Sequence, residues 1–118
     1  MKQPHYSKFV SAGHLGFFSG ILALDPDGVI RSEGIEAQTR RVLDSLNSLL
    51  HSHALTKNNI VKTTVWLRNA PDFWNFDAEY ARFFGAHAPA RSTVVSNLVL
   101  DDALIELEAI ALLHGAAQ

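Results

Sequence analysis

Three charged residues stand in segments that otherwise have the composition of a protein core. Arg91 opens a run rich in β-branched residues, and Glu106 and Glu108 lie inside an apolar run near the end of the chain. A guanidinium group binds a carboxylate through two parallel hydrogen bonds. A carboxylate among apolar residues is tuned towards proton transfer, because burial disfavours its charged form. Together these residue types predict a site that holds a small carboxylate beside a general base.

Each of these residues also has a purely structural interpretation. Arg91 enters a predicted strand, where it could be a surface side chain or one half of an ion pair. Glu106 and Glu108 share one strand face by the period of two, and that face would be solvated in an edge strand. Against this, Leu104 and Ile110 flank the glutamates on the same face and would be exposed with them. We expect Arg91 to offset the cost of burying Glu106.

Other reactive residues give weaker signals. The chain has no cysteine, which excludes disulfides, thiolate metal sites and a thiol nucleophile. Its six histidines are dispersed, and the closely spaced His51 and His53 point in different directions on a helix. Ser19 lacks the G-x-S-x-G elbow of a serine hydrolase, and the glycines form no phosphate-binding motif. These residues therefore give no indication of a metal site or of a phosphate-binding motif.

Composition indicates a small soluble protein. With 118 residues, of which 47% are hydrophobic and 19% charged, the chain is long enough for one domain, placed at residues 1–118. The net charge of −2 provides no basic surface for nucleic acid or an anionic membrane. The N-terminus lacks the apolar region of a signal peptide, and no apolar run approaches the roughly 20 residues that span a bilayer. We expect a cytoplasmic protein that binds neither nucleic acid nor membrane.

The elements that must position these residues follow from the spacing of apolar side chains. Alternation predicts strands and steps of three and four predict helices, in the order β-β-α-β-α-β-β. The strands are expected at Tyr6–Ala12, Leu15–Leu24, Ile60–Leu67, Ser92–Val99 and Ala103–Leu112, with helices starting at Gly34, for about five turns, and near Pro71. The aromatic face of the second helix is expected to be core rather than a ligand platform. The fold class is α+β, a mixed sheet with two helices packed on one face.

The last two strands, predicted to form a hairpin, carry apolar residues on both faces. They include Leu98 and Val99 in the first strand, Leu100 just after it, and Ile105 and Ile110 in the second strand. Helices on one face of the sheet would leave the other face uncovered, and a short chain usually buries such a face against another copy of itself. We therefore expect a homo-oligomer.

Short motifs spread from Tyr6 to Ala111 resemble those of the RidA/YjgF family. They are Tyr6-Ser7, Phe18-Ser19-Gly20, Asp25-Pro26-x-Gly28, Gln38-Thr39-Arg40-x-Val42-Leu43, Val61-Lys62-Thr63-Thr64-Val65, Tyr80-x-x-Phe83-Phe84, Pro89-Ala90-Arg91-Ser92-Thr93 and Ile105-Glu106-Leu107-Glu108-Ala109-Ile110-Ala111. Each motif is short, but their order and their spread over nearly the whole chain are specific. The Pro-Ala-Arg-Ser motif followed by Glu-x-Glu-Ala-Ile-Ala is the most telling part.

The resemblance implies a chorismate-mutase-like (YjgF-like) fold assembled as a homotrimer, with sites between the subunits. It implies hydrolytic deamination of reactive enamine or imine intermediates, such as 2-aminoacrylate, to 2-oxo acids and ammonia without a cofactor. Arg91 matches the family arginine that holds the substrate carboxylate, and Glu106 matches the glutamate that positions or activates water. Tyr6 and Ser19 match pocket positions, and Thr93 falls where members carry cysteine or threonine.

Several positions depart from the family pattern. Asp77 stands where a pocket asparagine is frequent, Ile21 where glutamine is common, and Val95 where glutamate is usual. The negative charge of Asp77 would disfavour an anionic substrate nearby, which favours a dedicated substrate such as a larger 2-aminomuconate-type enamine. Two other interpretations stay open. One is a non-catalytic trimer that binds small carboxylates or partner proteins, and the other is a structural module in which Arg91 is dispensable.

Overall fold

The computed structural model describes residues 3–114, and this part of the chain forms a five-stranded sheet and two α-helices. The elements in chain order are β1 (Phe9–Ala12), β2 (Leu15–Leu22), α1 (Gly34–Ser52), β3 (Ile60–Leu67), α2 (Phe73–Phe84), β4 (Ala90–Val95) and β5 (Ile105–Leu112). A 3₁₀ turn, Ala70–Asp72, leads into α2, and Pro71 is tolerated there because its missing N–H would have no helical partner. The predicted α+β class and order of elements are confirmed.

The sheet places β5 in its centre. The strand order is β1-β2-β5-β3-β4, and only β3 and β4 are parallel, with α2 as the crossover between them. The predicted hairpin between the last two strands is therefore wrong. A helical crossover returns the chain parallel to the strand it left, which puts β4 beside β3. The strongly apolar β5 then takes the protected position between β2 and β3, where it pairs along both edges.

The segment between β4 and β5 is a loop rather than a continuation of a strand. Arg68 holds it: Nε donates to the carbonyl of Ala103 at 2.7 Å, and Nη2 donates to the carbonyl of Leu100 at 2.9 Å. Leu98 and Val99, which the sequence predicts as strand residues, lie in this loop, and Val99 is 90% exposed. The loop carbonyls bond to one arginine side chain instead of a neighbouring strand.

Helix α1 confirms the prediction of a five-turn amphipathic helix, since it is 19 residues long. Its buried face includes Val42, Leu46 and Leu50, which pack in the same core cluster as the inner face of the sheet. Buried Gln38 ties α1 to the start of β5, donating to the carbonyl of Asp102 at 2.9 Å and accepting from the amide of Leu104 at 2.8 Å. No helix in the described part is long and apolar enough to cross a bilayer.

Helix α2 packs its aromatic face on the sheet, as predicted. Phe76, Tyr80 and Phe84 are buried in the core cluster. The hydroxyl of Tyr80 and the hydroxyl of Thr63 on β3 lie 2.7 Å apart, and this buried hydrogen bond joins the helix to the sheet. Burial raises the pKa of Tyr80, which keeps its hydroxyl protonated and able to donate.

Replacing Tyr80 with phenylalanine should destabilise the protein by about 1–3 kcal/mol, because the buried hydroxyl of Thr63 loses its partner. Urea unfolding measures the effect as a lower midpoint at an unchanged m-value. Tyr6→Phe is the matched control, since Tyr6 is exposed. The double variant Thr63→Val, Tyr80→Phe should regain most of the loss, because it removes both partners together. Equal stability of Tyr80→Phe and wild type would show that the hydrogen bond is energetically neutral.

The face of the sheet opposite the helices is partly apolar and uncovered. Val10, Phe17 and Val94 lie on it and are exposed at 52%, 38% and 43%. These residues belong to β1, β2 and β4, so the apolar patches are spread across the sheet rather than gathered in the last two strands. A surface of this kind is suited to burial against another subunit.

Candidate functional site

Arg91 and Glu106 lie on opposite faces of the sheet. Arg91 pairs in register with Thr63, which is buried beneath the helices, whereas Glu106 pairs with Trp66, three residues further along the same strand. Paired residues share a face and side chains alternate along a strand, so Arg91 faces the helices and Glu106 faces away from them. The expectation that Arg91 offsets the burial of Glu106 is therefore wrong within one chain.

Arg91 lines a cavity of about 370 Å³ at the edge of the sheet, here called the Arg91 cavity. Its lining residues come from α2, the loop that follows it and the start of β4: Asp77, Tyr80, Ala81, Phe84, Gly85, His87, Ala88, Pro89 and Arg91. Nη1 of Arg91 donates to Oδ1 of Asp77 at 2.8 Å, and the two side chains are 20% and 31% exposed. The Arg91 side chain is thus mostly buried, but it lines the cavity.

Aromatic rings fix the direction of the arginine. The guanidinium carbon of Arg91 lies 5.5 Å from the ring centre of Phe73, 5.2 Å from that of Phe76 and 4.7 Å from that of Tyr80. Each ring face attracts the cation. The aromatic face of α2 therefore has two roles, since it fills the core and also holds the guanidinium at the cavity. The predicted role as core is confirmed, and the contact with Arg91 was not predicted.

Glu106 lines a second cavity, of about 240 Å³, on the other face of the sheet, here called the Glu106 cavity. Its lining residues are Gly20, Trp66, Ser96, Asn97, Leu98, Val99, Glu106 and Glu108. Burial raises the pKa of the Glu106 carboxyl, and repulsion from the charge of Glu108 raises it further. Glu106 is therefore a stronger base than an ordinary exposed glutamate, and it sits beside a space that can hold a small molecule.

A bulge in β2 allows the Glu106 side chain to occupy its position. The pairing of β2 with β5 shifts register between Phe18 and Ile21, so Ser19 and Gly20 form an irregular step in the strand. A Cβ atom on Gly20 would collide with Oε2 of Glu106 and lie 2.9 Å from its Cδ. The Glu106 carboxylate can occupy this position because residue 20 has no Cβ atom. The position of Glu106 therefore depends on Gly20.

The other predicted pocket residues have simpler surroundings. The hydroxyl of Ser19 donates to the carbonyl of Ser7 at 2.6 Å, which ties the segment that carries Tyr6 to β2. Tyr6 itself is 57% exposed. Thr93 pairs with Val65 and shares the helix-side face with Arg91, two residues away. Within residues 3–114 these three side chains line neither cavity, and no three His, Asp or Glu residues gather there as ligands for a metal ion.

Comparison with known proteins identifies the family. A model of the Endoribonuclease L-PSP family matches residues 2–113. The chain belongs to this family. It is 38% identical over 109 residues to Reactive Intermediate Deaminase A, chloroplastic, of Arabidopsis thaliana, covering 92% of this chain and 58% of the plant protein. It is 35% identical over 109 residues to the 2-iminobutanoate/2-iminopropanoate deaminase of Salmonella typhimurium, covering 90% and 85%.

The fold supports the same family assignment. The crystal structure of the YjgF gene product of E. coli is similar with a TM-score of 0.82 and 34% identity, and the match covers 91% of this chain and 87% of that one. The predicted resemblance to the RidA/YjgF family and the predicted fold are confirmed. This family includes deaminases of reactive intermediates.

Three residues around the candidate RidA-family site were not singled out as site residues from the sequence. Gly20 is needed for the close approach of Glu106, Trp66 lines the Glu106 cavity and Tyr80 holds Arg91. The sequence could have pointed to Trp66, because a large aromatic residue on the polar face of an alternating strand is unusual. Tyr80 gave no such indication, since its spacing on α2 is that of an ordinary core residue.

Proposed function

We propose that this RidA-family protein hydrolyses reactive enamine or imine intermediates, of 2-aminoacrylate or 2-aminomuconate type, to 2-oxo acids and ammonia. The observation that carries the proposal is the half-buried carboxylate of Glu106, whose pKa is raised and which lines a cavity. Among the described residues no basic side chain pairs with it. Such a carboxylate is suited to general base catalysis, and the Salmonella relative named above is a deaminase of 2-imino acids.

The chemistry needs two functions, and Arg91 and Glu106 match them. Arg91 holds the substrate carboxylate through its free N–H donors. Glu106 takes a proton from water while the water oxygen bonds to the imine carbon, and it returns that proton to the nitrogen of the adduct. The carbon–nitrogen bond then breaks, which releases ammonia and leaves a carbonyl. The imine is already electrophilic, so holding it beside a water molecule supplies most of the catalysis through proximity. No covalent intermediate with the protein is needed.

The two functions come from different subunits in this proposal. Arg91 and Glu106 lie on opposite faces of one sheet, so one chain cannot bring both to a single substrate. In a homotrimer with cyclic symmetry, the Arg91 cavity of one subunit meets the Glu106 cavity of the next, which gives equivalent sites at the interfaces. The uncovered residues Val10, Phe17 and Val94 would be buried in this assembly.

The first test is release of ammonia and 2-oxo acid from 2-aminoacrylate generated in situ by a dehydratase. Wild-type protein should accelerate both, and Arg91→Lys and Glu106→Gln should accelerate them far less. Co-expression of these two variants should restore activity at roughly one site in four, because random mixing of subunits places an intact Arg91 beside an intact Glu106 that often. Activity in neither the wild type nor the mixture, from well-folded protein, would reject the proposal.

Gly20→Ala should reduce deaminase activity by about tenfold to a hundredfold, because the added methyl group displaces the Glu106 carboxylate by about an ångström. The atom that must move is the end of a flexible side chain, so the melting temperature should change little. Steady-state kinetics and thermal unfolding of the same preparation separate these effects. Full activity in Gly20→Ala would show that the position of the Glu106 carboxylate is not critical.

Two other functions are tested by the same preparations. One is a non-catalytic trimer that binds small carboxylates or partner proteins, and this function predicts binding of 2-oxo acids without turnover.

The other is a ribonuclease, because the name of the matched family is Endoribonuclease L-PSP. Little in a chain of net charge −2 attracts a phosphate backbone. Cleavage of RNA that is abolished in Glu106→Gln, without any imine hydrolysis, would favour the ribonuclease.

A further inference from the structure

Arg91 has donors left over after it binds Asp77. A guanidinium carries five N–H donors in one plane, and a single hydrogen bond to Asp77 is present, from Nη1 to Oδ1 at 2.8 Å. The rings of Phe73, Phe76 and Tyr80 contact the guanidinium without taking its donors as carboxylates or carbonyls would. An edge of the guanidinium is therefore available to a ligand carboxylate in the Arg91 cavity.

Asp77 has an acceptor left over in the same way. Its Oδ1 accepts from Arg91, and no other side chain or backbone group of residues 3–114 donates to its carboxylate. Asp77 also lines the cavity, and its side chain is 31% exposed. The cavity thus presents free donors from Arg91 and a free, charged acceptor from Asp77 side by side.

This pairing of groups is complementary to a carboxylate that carries a hydrogen-bond donor beside it. A carboxylate alone is attracted by Arg91 and repelled by Asp77, which lies within hydrogen-bonding distance of the same guanidinium. A carboxylate with an N–H group on the adjacent carbon satisfies both, since its oxygens accept from Arg91 and its nitrogen donates to Asp77. An uncharged amide side chain at this position would not discriminate by charge.

We propose that Asp77 determines specificity, so that the Arg91 cavity binds a 2-iminium or 2-amino carboxylate in preference to the corresponding 2-oxo acid. The inference rests on the proposed deaminase function and deepens it by naming what the cavity distinguishes. In the balanced reaction, a 2-iminium carboxylate and water give a 2-oxo carboxylate and ammonium. The group facing Asp77 changes from an N–H donor to a ketone oxygen, so the product loses a hydrogen bond, gains a repulsion and dissociates.

Calorimetric titration of the intact wild-type protein with two inert ligands of the same carbon skeleton tests this proposal. The ligands are L-2-aminobutanoate, which carries the nitrogen donors, and 2-oxobutanoate, which does not. Wild type should bind the amino acid more tightly, by about tenfold for one charge-assisted hydrogen bond. Asp77→Asn should reverse the order, because affinity for the oxo acid rises and affinity for the amino acid falls.

Asp44→Asn is the matched control, since Asp44 is an exposed carboxylate on α1 and its loss changes the net charge equally. It should leave the order of the two affinities unchanged. Three results would overturn the proposal: equal binding of the two ligands by wild type, parallel changes of both affinities in Asp77→Asn, or no binding of either ligand. The titration needs no turnover. An inactive wild type with the predicted order of affinities would therefore reject the deaminase function alone, and an active one without that order would reject only the role of Asp77.

Discussion

Glu106→Gln should lower kcat for imine hydrolysis by about 10²- to 10⁴-fold, which is the usual contribution of a general base. Glutamine keeps the size of the side chain and fits the space beside Gly20, but it does not accept a proton from water. Single-turnover kinetics with 2-aminoacrylate generated in situ measure the loss. Retention of wild-type kcat in a folded Glu106→Gln protein would remove Glu106 from the mechanism.

The pH dependence of kcat/KM is a second test of Glu106 as the general base. The base form of Glu106 is lost as pH falls through its pKa, which burial and the charge of Glu108 place above the ordinary value of 4.5. The acid limb of the wild-type profile should therefore lie above that pH. Glu108→Gln is the matched control, because it removes an equal charge from the same strand face. It should keep most of the activity and move the acid limb to lower pH.

Arg91→Lys should lower kcat/KM by about a hundredfold, mainly through a higher KM. Lysine keeps the positive charge but loses the planar pair of donors that binds a carboxylate, and two charge-assisted hydrogen bonds contribute about 3 kcal/mol or more. The carboxylate is held in the bound substrate as well as in the transition state, so the loss appears as weaker binding. Initial rates over a range of substrate concentrations give kcat and KM separately.

Arg82→Lys is the control for this substitution. Arg82 lies on the same helix as Asp77, pairs with Glu79 and is 70% exposed at its side chain, outside both cavities. Its replacement should leave kcat and KM within about twofold of wild type, because lysine keeps the positive charge that pairs with Glu79 and Arg82 lines neither cavity. If both arginine variants lowered kcat/KM alike, the effect of Arg91 would be one of general charge rather than of carboxylate binding.

Local patterns were sufficient for the elements of this fold. The apolar positions of α1 repeat at helical spacing and β3 alternates over its whole length, so both elements were predicted with nearly correct limits. The pairing of the strands was not predictable in this way. Whether β5 pairs with β4 or inserts between β2 and β3 depends on the crossover through α2 and on contacts such as those of Arg68. These join residues that are distant in sequence.

Two residues of the candidate site, Arg91 and Glu106, could be singled out from the sequence, but their arrangement could not. Arg91 and Glu106 stand out because charge is rare in apolar strands, and both lie at cavities. Their separation on two faces follows from strand register, which the sequence leaves open once the pairing is unknown. The ion pair of Asp77 with Arg91 depends on the packing of α2 against β4. A residue type alone does not reveal its partner.

In the proposed assembly, the division of Arg91 and Glu106 between two faces of one sheet would make activity depend on protein abundance. A chain that is alone in solution can be fully folded and still hold only half of each site, so dilution below the dissociation constant of the assembly should remove activity without unfolding anything. Specific activity would then rise with concentration until the subunits are saturated with one another. In a cell, the rate of imine removal would increase more steeply than the amount of protein at low expression.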